Sequence, residues 1–429
     1  MAILAHAGEG LKARYLVSLQ YPEYRKLWLA TVCSQSAAWA LIVARAALVL
    51  QLTGSATWTG AVIFAAMIPA VFVSPVAGFL ADRFDRRTVL AYAYGVNLAH
   101  NLLLSILVVT CAVEAWHLLA LAVVNGSARA VQMPASQALL PNTLPKEWLF
   151  NAVALYGVTQ HGSRFTGPFL ILVLLWLTGH QDWVFFLCTA LYCLGLGSIL
   201  SIKVVSTGVI QPGGGIPAIL NSMLDGLRYI YSHPTVLSLV LLVVAHCALT
   251  MSFESLLPVL SRDRFGLENA GILGGFSYMM VGFGLAALVA AVTLAGVRTE
   301  AARGRLLLWL AVLSGVSLVA LAMSPNLPVA ILSSAAMGFS QGGFMMLSQA
   351  MVQSIVPDAI RGRVMAVYNW HILGFMATFN MVNGALVEVT ALTASVILAA
   401  GGIAFLVVVA LSFARVPLRQ LYARGVPAT

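Results

Sequence analysis

A chain of 429 residues that is 61% hydrophobic and only 9% charged has more apolar surface than a water-soluble core can hide. Its apolar runs reach the length of a bilayer-crossing helix, so the chain reads as a polytopic α-helical membrane protein. The net charge of +9 does not point to nucleic acid. Lys and Arg collect in the cytoplasmic loops of membrane proteins, and no basic run here alternates with aromatics on a soluble module.

Charge, Pro and Gly clusters cut the sequence into twelve predicted spans. The first six cover 27–51, 57–81, 88–112, 115–138, 147–177 and 182–203. A polar connection over 204–235 follows, with the breaker Pro212-Gly213-Gly214-Gly215 and then an amphipathic stretch, Ile216 to Ser232, suited to lie on the membrane surface. The second six cover 236–260, 269–296, 305–323, 328–354, 362–388 and 391–413. The expected organisation is a six-helix bundle over 1–203, a cytoplasmic linker with an amphipathic helix over 204–235 and a second six-helix bundle over 236–429.

The loops on the side of the N-terminus hold nearly all the Lys and Arg, from Lys12 and Arg14 to Arg419 and Arg424, whereas the opposite set holds Arg262 and Arg264. Both termini are therefore expected in the cytoplasm. No cleavable signal is expected, because the first apolar run leads into further spans without a small-residue cleavage site. Cys33, Cys111, Cys188, Cys193 and Cys247 fall in apolar runs without metal-ligand spacing and read as packing residues. Neither a metal nor a cofactor is implied.

The two halves repeat. A shift of 212 residues sets Gly126 on Gly338, Ser136-Gln137-Ala138 on Ser348-Gln349-Ala350, Pro145 on Pro357, Ala154 on Ala366 and Tyr156 on Tyr368. Parallel repeats of this kind, related by an axis along the membrane normal, place a substrate site between them. The predicted fold is all-α, with twelve transmembrane helices in two parallel six-helix repeats.

The most charged segment is the turn after the second span, Gly78-Phe79-Leu80-Ala81-Asp82-Arg83-Phe84-Asp85-Arg86-Arg87. Through Gly78, Leu80, Ala81, Asp82, Arg83, Arg86 and Arg87 it resembles the signature loop of the major facilitator superfamily, roughly Gly-x-Leu-Ala-Asp-Arg-x-Gly-Arg-Arg, and it departs from it at Asp85. Asp85, the stretch Pro134 to Pro141, Leu149 to Leu155, Arg164-Phe165-Thr166-Gly167-Pro168 and Val356 to Val364 with Tyr368-Asn369 are similar to the drug, macrolide and siderophore (enterobactin) exporter branch. Two features of that branch are missing. The first span reads Ser34-Gln35-Ser36-Ala37-Ala38 where these exporters often carry an acid, and Gly167-Pro168 runs into Phe169-Leu170 instead of the rest of the antiport motif.

The resemblance implies a central cavity lined by spans 1, 4, 7 and 10. Span 4 presents Asn125, Arg129 and Gln132 on one helical face, and span 7 presents His246, Thr250 and Glu254. Gln35, Trp39 and Ile42 on span 1 and Gln341, Met345 and Ser348 on span 10 complete the expected wall, which suits bulky amphipathic ligands better than sugars. Charges inside a bilayer are costly and call for partners. Arg129 either pairs with Asp82 or touches substrate. Arg45 and Glu254 lie at similar depth and are read as an ion pair closing the extracellular side, the alternative being that Arg45 snorkels and Glu254 marks the headgroup boundary. Glu254 and His246 are the candidates for proton coupling. Arg164 either belongs to the gate or tethers a kink at Pro168, and Asp82, Arg83, Asp85 and Arg86 of the signature loop read as a gating latch.

The resemblance thus implies a secondary transporter in a bacterial inner membrane, a monomer exporting amphipathic small molecules by alternating access with proton antiport. The expected partners are the substrate, protons and the lipid bilayer. A lysophospholipid or metabolite transporter and a transport-inactive scaffold or sensor are the alternatives. Enzyme action is not expected, since no nucleotide-binding Gly-Lys-Ser/Thr loop or metal-ligand cluster is present.

Overall fold

The computed structural model of the protein describes residues 16–204, 216–294, 296, 297 and 299–426, apart from the side chains at 75, 78–82 and 216–219. The breaker Pro212 to Gly215 and the side chain of Asp82 lie outside the described residues. Every regular element among the described residues is helical. The first long helices are α1 (Pro22–Thr53), α2 (Ala56–Arg83), α3 (Arg86–Val109), α4 (Ala115–Leu139), α5 (Leu149–Thr178) and α6 (Trp183–Leu200). Next come α7 (Ile216–Ser232), with the bounds expected for the amphipathic stretch, and α8 (Pro234–His246), a π-helical turn (Cys247–Met251) and α9 (Leu257–Phe265). The chain continues through α10 (Ala270–Leu294), α11 (Glu300–Ala322), α12 (Leu327–Ile355), α13 (Asp358–Val389), α14 (Ala394–Ser412) and α15 (Val416–Arg424).

Ten of these helices are long and apolar enough to cross a membrane. Helices α4 and α5, with 25 and 30 residues, have the length as well. They fall outside the ten because Asn125, Arg129 and Gln132 in one and His161 and Arg164 in the other dilute their apolar character. Helix ends follow local chemistry. Pro22 and Pro234 stand at helix starts, where the missing N–H costs nothing, and Gly54, Gly179 and Gly266 end α1, α5 and α9 in the left-handed conformation.

The expected span over 236–260 is not one helix. Thr250 and Ser252 bond back to the carbonyls of His246 and Ala248, and Pro258 near the start of α9 cannot donate to the turn before it, so the chain unwinds between them. Neighbours satisfy the freed backbone. Gln341 donates to Thr250 O at 3.0 Å, Asn383 to Ser252 O at 2.7 Å, and Asn380 Oδ1 accepts from Ser255 N at 3.0 Å. Helix α15 was not foreseen from the basic C-terminal tail. It docks through buried Leu418 and Leu421 and through the Tyr422 hydroxyl, 2.9 Å from Ser412 Oγ. Cys111, expected within a span, instead occupies an exposed turn with φ 53°.

Alternation of the helices defines a near end, holding the starts of α1, α3 and α5, and a far end, holding the turns at 53–56, 178–183, 265–270 and 389–394. One apolar core runs through α1 to α6 and continues at the far end into Phe253, Leu257, Leu260, Ile272, Phe276 and Leu398. A second core, with Val236, Val243, Leu307, Phe344, Tyr368 and Phe405, stays at the near end of the later helices. Burial therefore joins early and late helices chiefly at the far end.

Small residues let the helices meet. A Cβ on Gly126 would run into Ala66 O of α2, and one on Gly338 into Phe283 O of α10. Gly338→Ala is expected to push α10 and α12 apart at about 1–3 kcal/mol, read as a lower melting temperature in detergent. Gly362→Ala, where a Cβ meets only open space, is expected to leave it unchanged.

Candidate functional site

Helices α1, α2 and α4 meet the unwound segment after α8 around a cavity of about 20 Å³ lined by Ile42, Arg45, Val62, Ile63, Ala66, Met67, Arg129 and Glu254. That volume holds roughly one water molecule. Three of the lining side chains are ionisable, two from the helices α1 and α4 and one from the unwound segment. The cavity thus gathers Arg45, Arg129 and Glu254 from a stretch of sequence more than 200 residues long.

Arg45 is 1% exposed and is held by amides. Its Nη2 donates to Asn125 Oδ1 at 3.1 Å and its Nε to Leu41 O at 3.4 Å, while Nη1 has no hydrogen-bond partner. Asn125 in turn donates to Asn97 Oδ1 at 2.7 Å, and Asn97 to Ala93 O at 3.2 Å. A buried charge without acceptors would be far costlier than one at the head of such a chain. Sequence reasoning missed the α3 end of this network, Asn97 and Asn101, and the buried His100 beside them. Its signal was present, as three polar residues on one face of an otherwise apolar span.

Glu254 is buried, 5% exposed, and makes no hydrogen bond or ion pair within 4.0 Å among the described residues. The charges that act on it are those of Arg164 and Arg129. The expected Arg45–Glu254 ion pair is therefore not formed in this conformation: both groups line one cavity, but Arg45 spends its donors on Asn125 and Leu41. Arg129 lines the same cavity as Glu254, and the side chain of Asp82, the other partner named for it, lies outside the described residues. The guanidinium of Arg164 stands 4.8 Å from the Trp39 ring centroid and 5.8 Å from that of Phe283. It is thus clamped between α1 and α10, two rings providing the negative faces a partly desolvated cation needs.

His246 lies elsewhere. It is fully buried in the near-end core, its Nε2 3.0 Å from Ser314 Oγ and its ring 4.3 Å from that of Phe344. Its expected place on the cavity is corrected by the π-helical turn, which rotates the residues after it out of register. Thr250 and Gln341 are also fully buried and serve the unwound segment, and Met345 packs against the near-end core. Gln35, Trp39 and Gln132 are buried at 9, 9 and 7% exposure.

In the signature loop Asp85 is the N-cap of α3, accepting from Thr88 N at 3.0 Å and Thr88 Oγ1 at 2.7 Å. Arg86 donates to Ala138 O at 2.9 Å and Arg87 to Leu200 O, at the ends of α4 and α6. Cations there satisfy carbonyls that have no partner within the helix. Arg83 is exposed.

A bundle of membrane-length helices with ionisable side chains around a cavity at the junction of its early and late helices is the framework of a polytopic membrane protein. The fold matches solved transporters: the nucleoside transporter NupG at TM-score 0.70 (14% identity, 92% of this chain and 98% of that one) and the peptide transporter POT in complex with sulfate at 0.69 (14% identity, 94% and 96%). The family model described as transmembrane secretion effector (MFS_3) matches residues 15–427, and the chain belongs to that family of the major facilitator superfamily. It is similar to proteins named multidrug efflux pump Tap. The one from Mycolicibacterium fortuitum is 25% identical over 76% of this chain and 80% of its own length, and the one from Mycobacterium tuberculosis (strain ATCC 25618 / H37Rv) is 25% identical over 76% and 78%.

Removing the amide that holds Arg45 tests the network. Asn125→Leu is expected to destabilise the protein by about 1.5–3 kcal/mol, the worth of a hydrogen bond to a charge, seen as a lower melting temperature. An unchanged melting temperature would mean that Arg45 finds Glu254 instead.

Proposed function

We propose that the protein is a secondary active exporter of amphipathic small molecules, working by alternating access in a bacterial inner membrane with both termini in the cytoplasm. Twelve spans in two parallel repeats are the architecture of this reading. Its support is the recurrence of structural residues 212 positions apart: Gly54 and Gly266 end α1 and α9, Gly126 and Gly338 each stand against the backbone of a neighbouring helix, and Tyr156 beside Ser136 has its counterpart in Tyr368, 3.2 Å from Ser348. The efflux direction rests on the similarity to Tap.

The observation that carries the coupling is Glu254, a buried carboxylate without a direct partner among the described residues, on a cavity shared with Arg45 and Arg129. Gaining a proton removes the cavity's negative charge, so its two states differ by a full unit in a medium where charge is poorly screened. Uncharged, oxygen-rich amphiphiles fit this balance. Their hydroxyls would donate to ionised Glu254 and their carbonyls accept from the arginines, and an arriving proton would take the place of the hydroxyls. Competition of that kind is proton antiport. Quaternary cations are disfavoured by the excess of guanidinium groups. At about 20 Å³ the cavity is too small for any such ligand in this conformation, so admission requires the near-end halves of the helices to part.

Proteoliposomes with an imposed pH gradient test the reading. A macrolide-type substrate is expected to accumulate with the gradient, and Glu254→Gln to reduce gradient-driven accumulation at least about tenfold while still allowing equilibration; a group poised for proton transfer is worth roughly that much or more. His246→Ala is expected to leave the pH response in place. Undiminished accumulation by Glu254→Gln overturns the coupling assignment, and transport of no amphiphile at all returns the scaffold reading.

A further inference from the structure

Three residues on α13 coincide with the far-end seam. Asn380, Gly384 and Glu388 recur every fourth residue, so they share one face of the helix. That face lies on the start of α2. A Cβ on Gly60 would stand 2.5 Å from Asn380 O, and one on Gly384 would run into Ala56 O, so the two backbones touch through small residues in the manner of close-packed membrane helices. One turn further out, the exposed carboxylate of Glu388 accepts from Thr57 N at 3.2 Å, from Thr57 Oγ1 at 2.7 Å and from Ser55 Oγ.

Ser55 already caps α2 in the ordinary way, its Oγ accepting from Trp58 N at 3.1 Å. Glu388 adds a second cap from a helix more than 300 residues away in sequence. A carboxylate on the N-terminus of a helix is stabilised by the free N–H groups and by the dipole. The turn before α2 is held from the other side too, since Arg262 in the last turn of α9 donates to Gly54 O at 2.9 Å. At the inner end of the same face, Asn380 Oδ1 accepts from Ser255 N, the residue next to Glu254. One face of α13 therefore runs from the exposed rim of the seam to the segment that carries the cavity's carboxylate, about 12 Å at 1.5 Å per residue.

We propose that Glu388 is the latch of the far end: a helix cap supplied in trans, which exists only while α2 and α13 are closed on each other and which sets how often that end opens. Closure by Glu388 does not depend on which way substrate moves. The cap must be lost in the open state, because its donors and its acceptor sit on opposite sides of the seam.

Spin labels at Leu52→Cys and Val389→Cys, both exposed, with exposed Cys111 and Cys193 replaced by Ser, report the width of the seam by pulsed electron resonance in lipid nanodiscs. Glu388→Gln, which keeps the shape of the side chain, is expected to shift the closed-to-open ratio about fivefold toward open, the worth of one helix cap. Thr57→Val removes a donor from the opposite side and is expected to widen the same distance, and combining the two is expected to open the seam no further than the stronger single change. Unchanged distance distributions in Glu388→Gln and Thr57→Val overturn the latch, as does a double variant whose opening is the sum of the two.

Discussion

Arg45 is the constraint around which the membrane-embedded part is arranged. A guanidinium inside a bilayer has no water to turn to, so every acceptor it uses has to come from the protein. Leu41 supplies one from the preceding turn of α1, Asn125 supplies another from α4, and Asn125 is fixed by Asn97 on α3. Three helices are thereby registered on one charge. The same chain leaves Nη1 without a partner, so the network holds Arg45 in place without neutralising it. The charge persists at the cavity, where Glu254 is the group of opposite sign.

Glu254 stands on backbone that is not helical, and this decides how it can respond. A carboxylate on a regular helix could move only with the whole helix. The segment between the π-helical turn and α9 is held by side chains instead, Gln341 from α12 and Asn380 and Asn383 from α13. Each of those bonds can be exchanged singly for about 1 kcal/mol net. A change of charge at Glu254 therefore acts first on contacts with α12 and α13, and α13 is the helix that closes against α2 at the far end. Local unwinding places the titratable group and the seam on the same few hydrogen bonds.

Length and apolarity made most of the helices legible, and the amphipathic linker helix was read to its bounds because a surface helix leaves a clear periodic stripe. The break in the seventh span was not legible. Pro258 lies close to an expected span end, and the hydroxyls of Thr250 and Ser252 look like ordinary polar decoration until their back-bonds are seen. That one break moved His246 into the core while leaving Glu254 on the cavity, since a π-turn shifts everything beyond it by a fraction of a turn. Arg45 and Glu254 were expected at matching depth and line one cavity, yet depth alone could not say that Asn125 would take the guanidinium. In the signature loop the residue types were clear, but the carbonyl acceptors of Arg86 and Arg87 belong to helix ends over 50 residues away, which local sequence does not specify.

The proposed repeat would separate scaffold from chemistry. Positions 212 apart share residues where helices turn or touch, as in Gly54 and Gly266, Gly126 and Gly338, Ser136 and Ser348, or Tyr156 and Tyr368. The cavity and clamp positions do not share them. Arg45 corresponds to Leu257, Asn125 to Met337, Arg129 to Gln341, Arg164 to Met376, and Glu254 to Ile42. The cations all come from the first half and the acid from the second, so neither half alone carries a site with both signs. Bringing them to one cavity requires the halves to close, and any motion that parts the halves at that level also separates Glu254 from Arg129. In the proposed transport cycle a substrate bonded to both would feel the same motion, which would tie the binding of a ligand to the side on which the cavity opens.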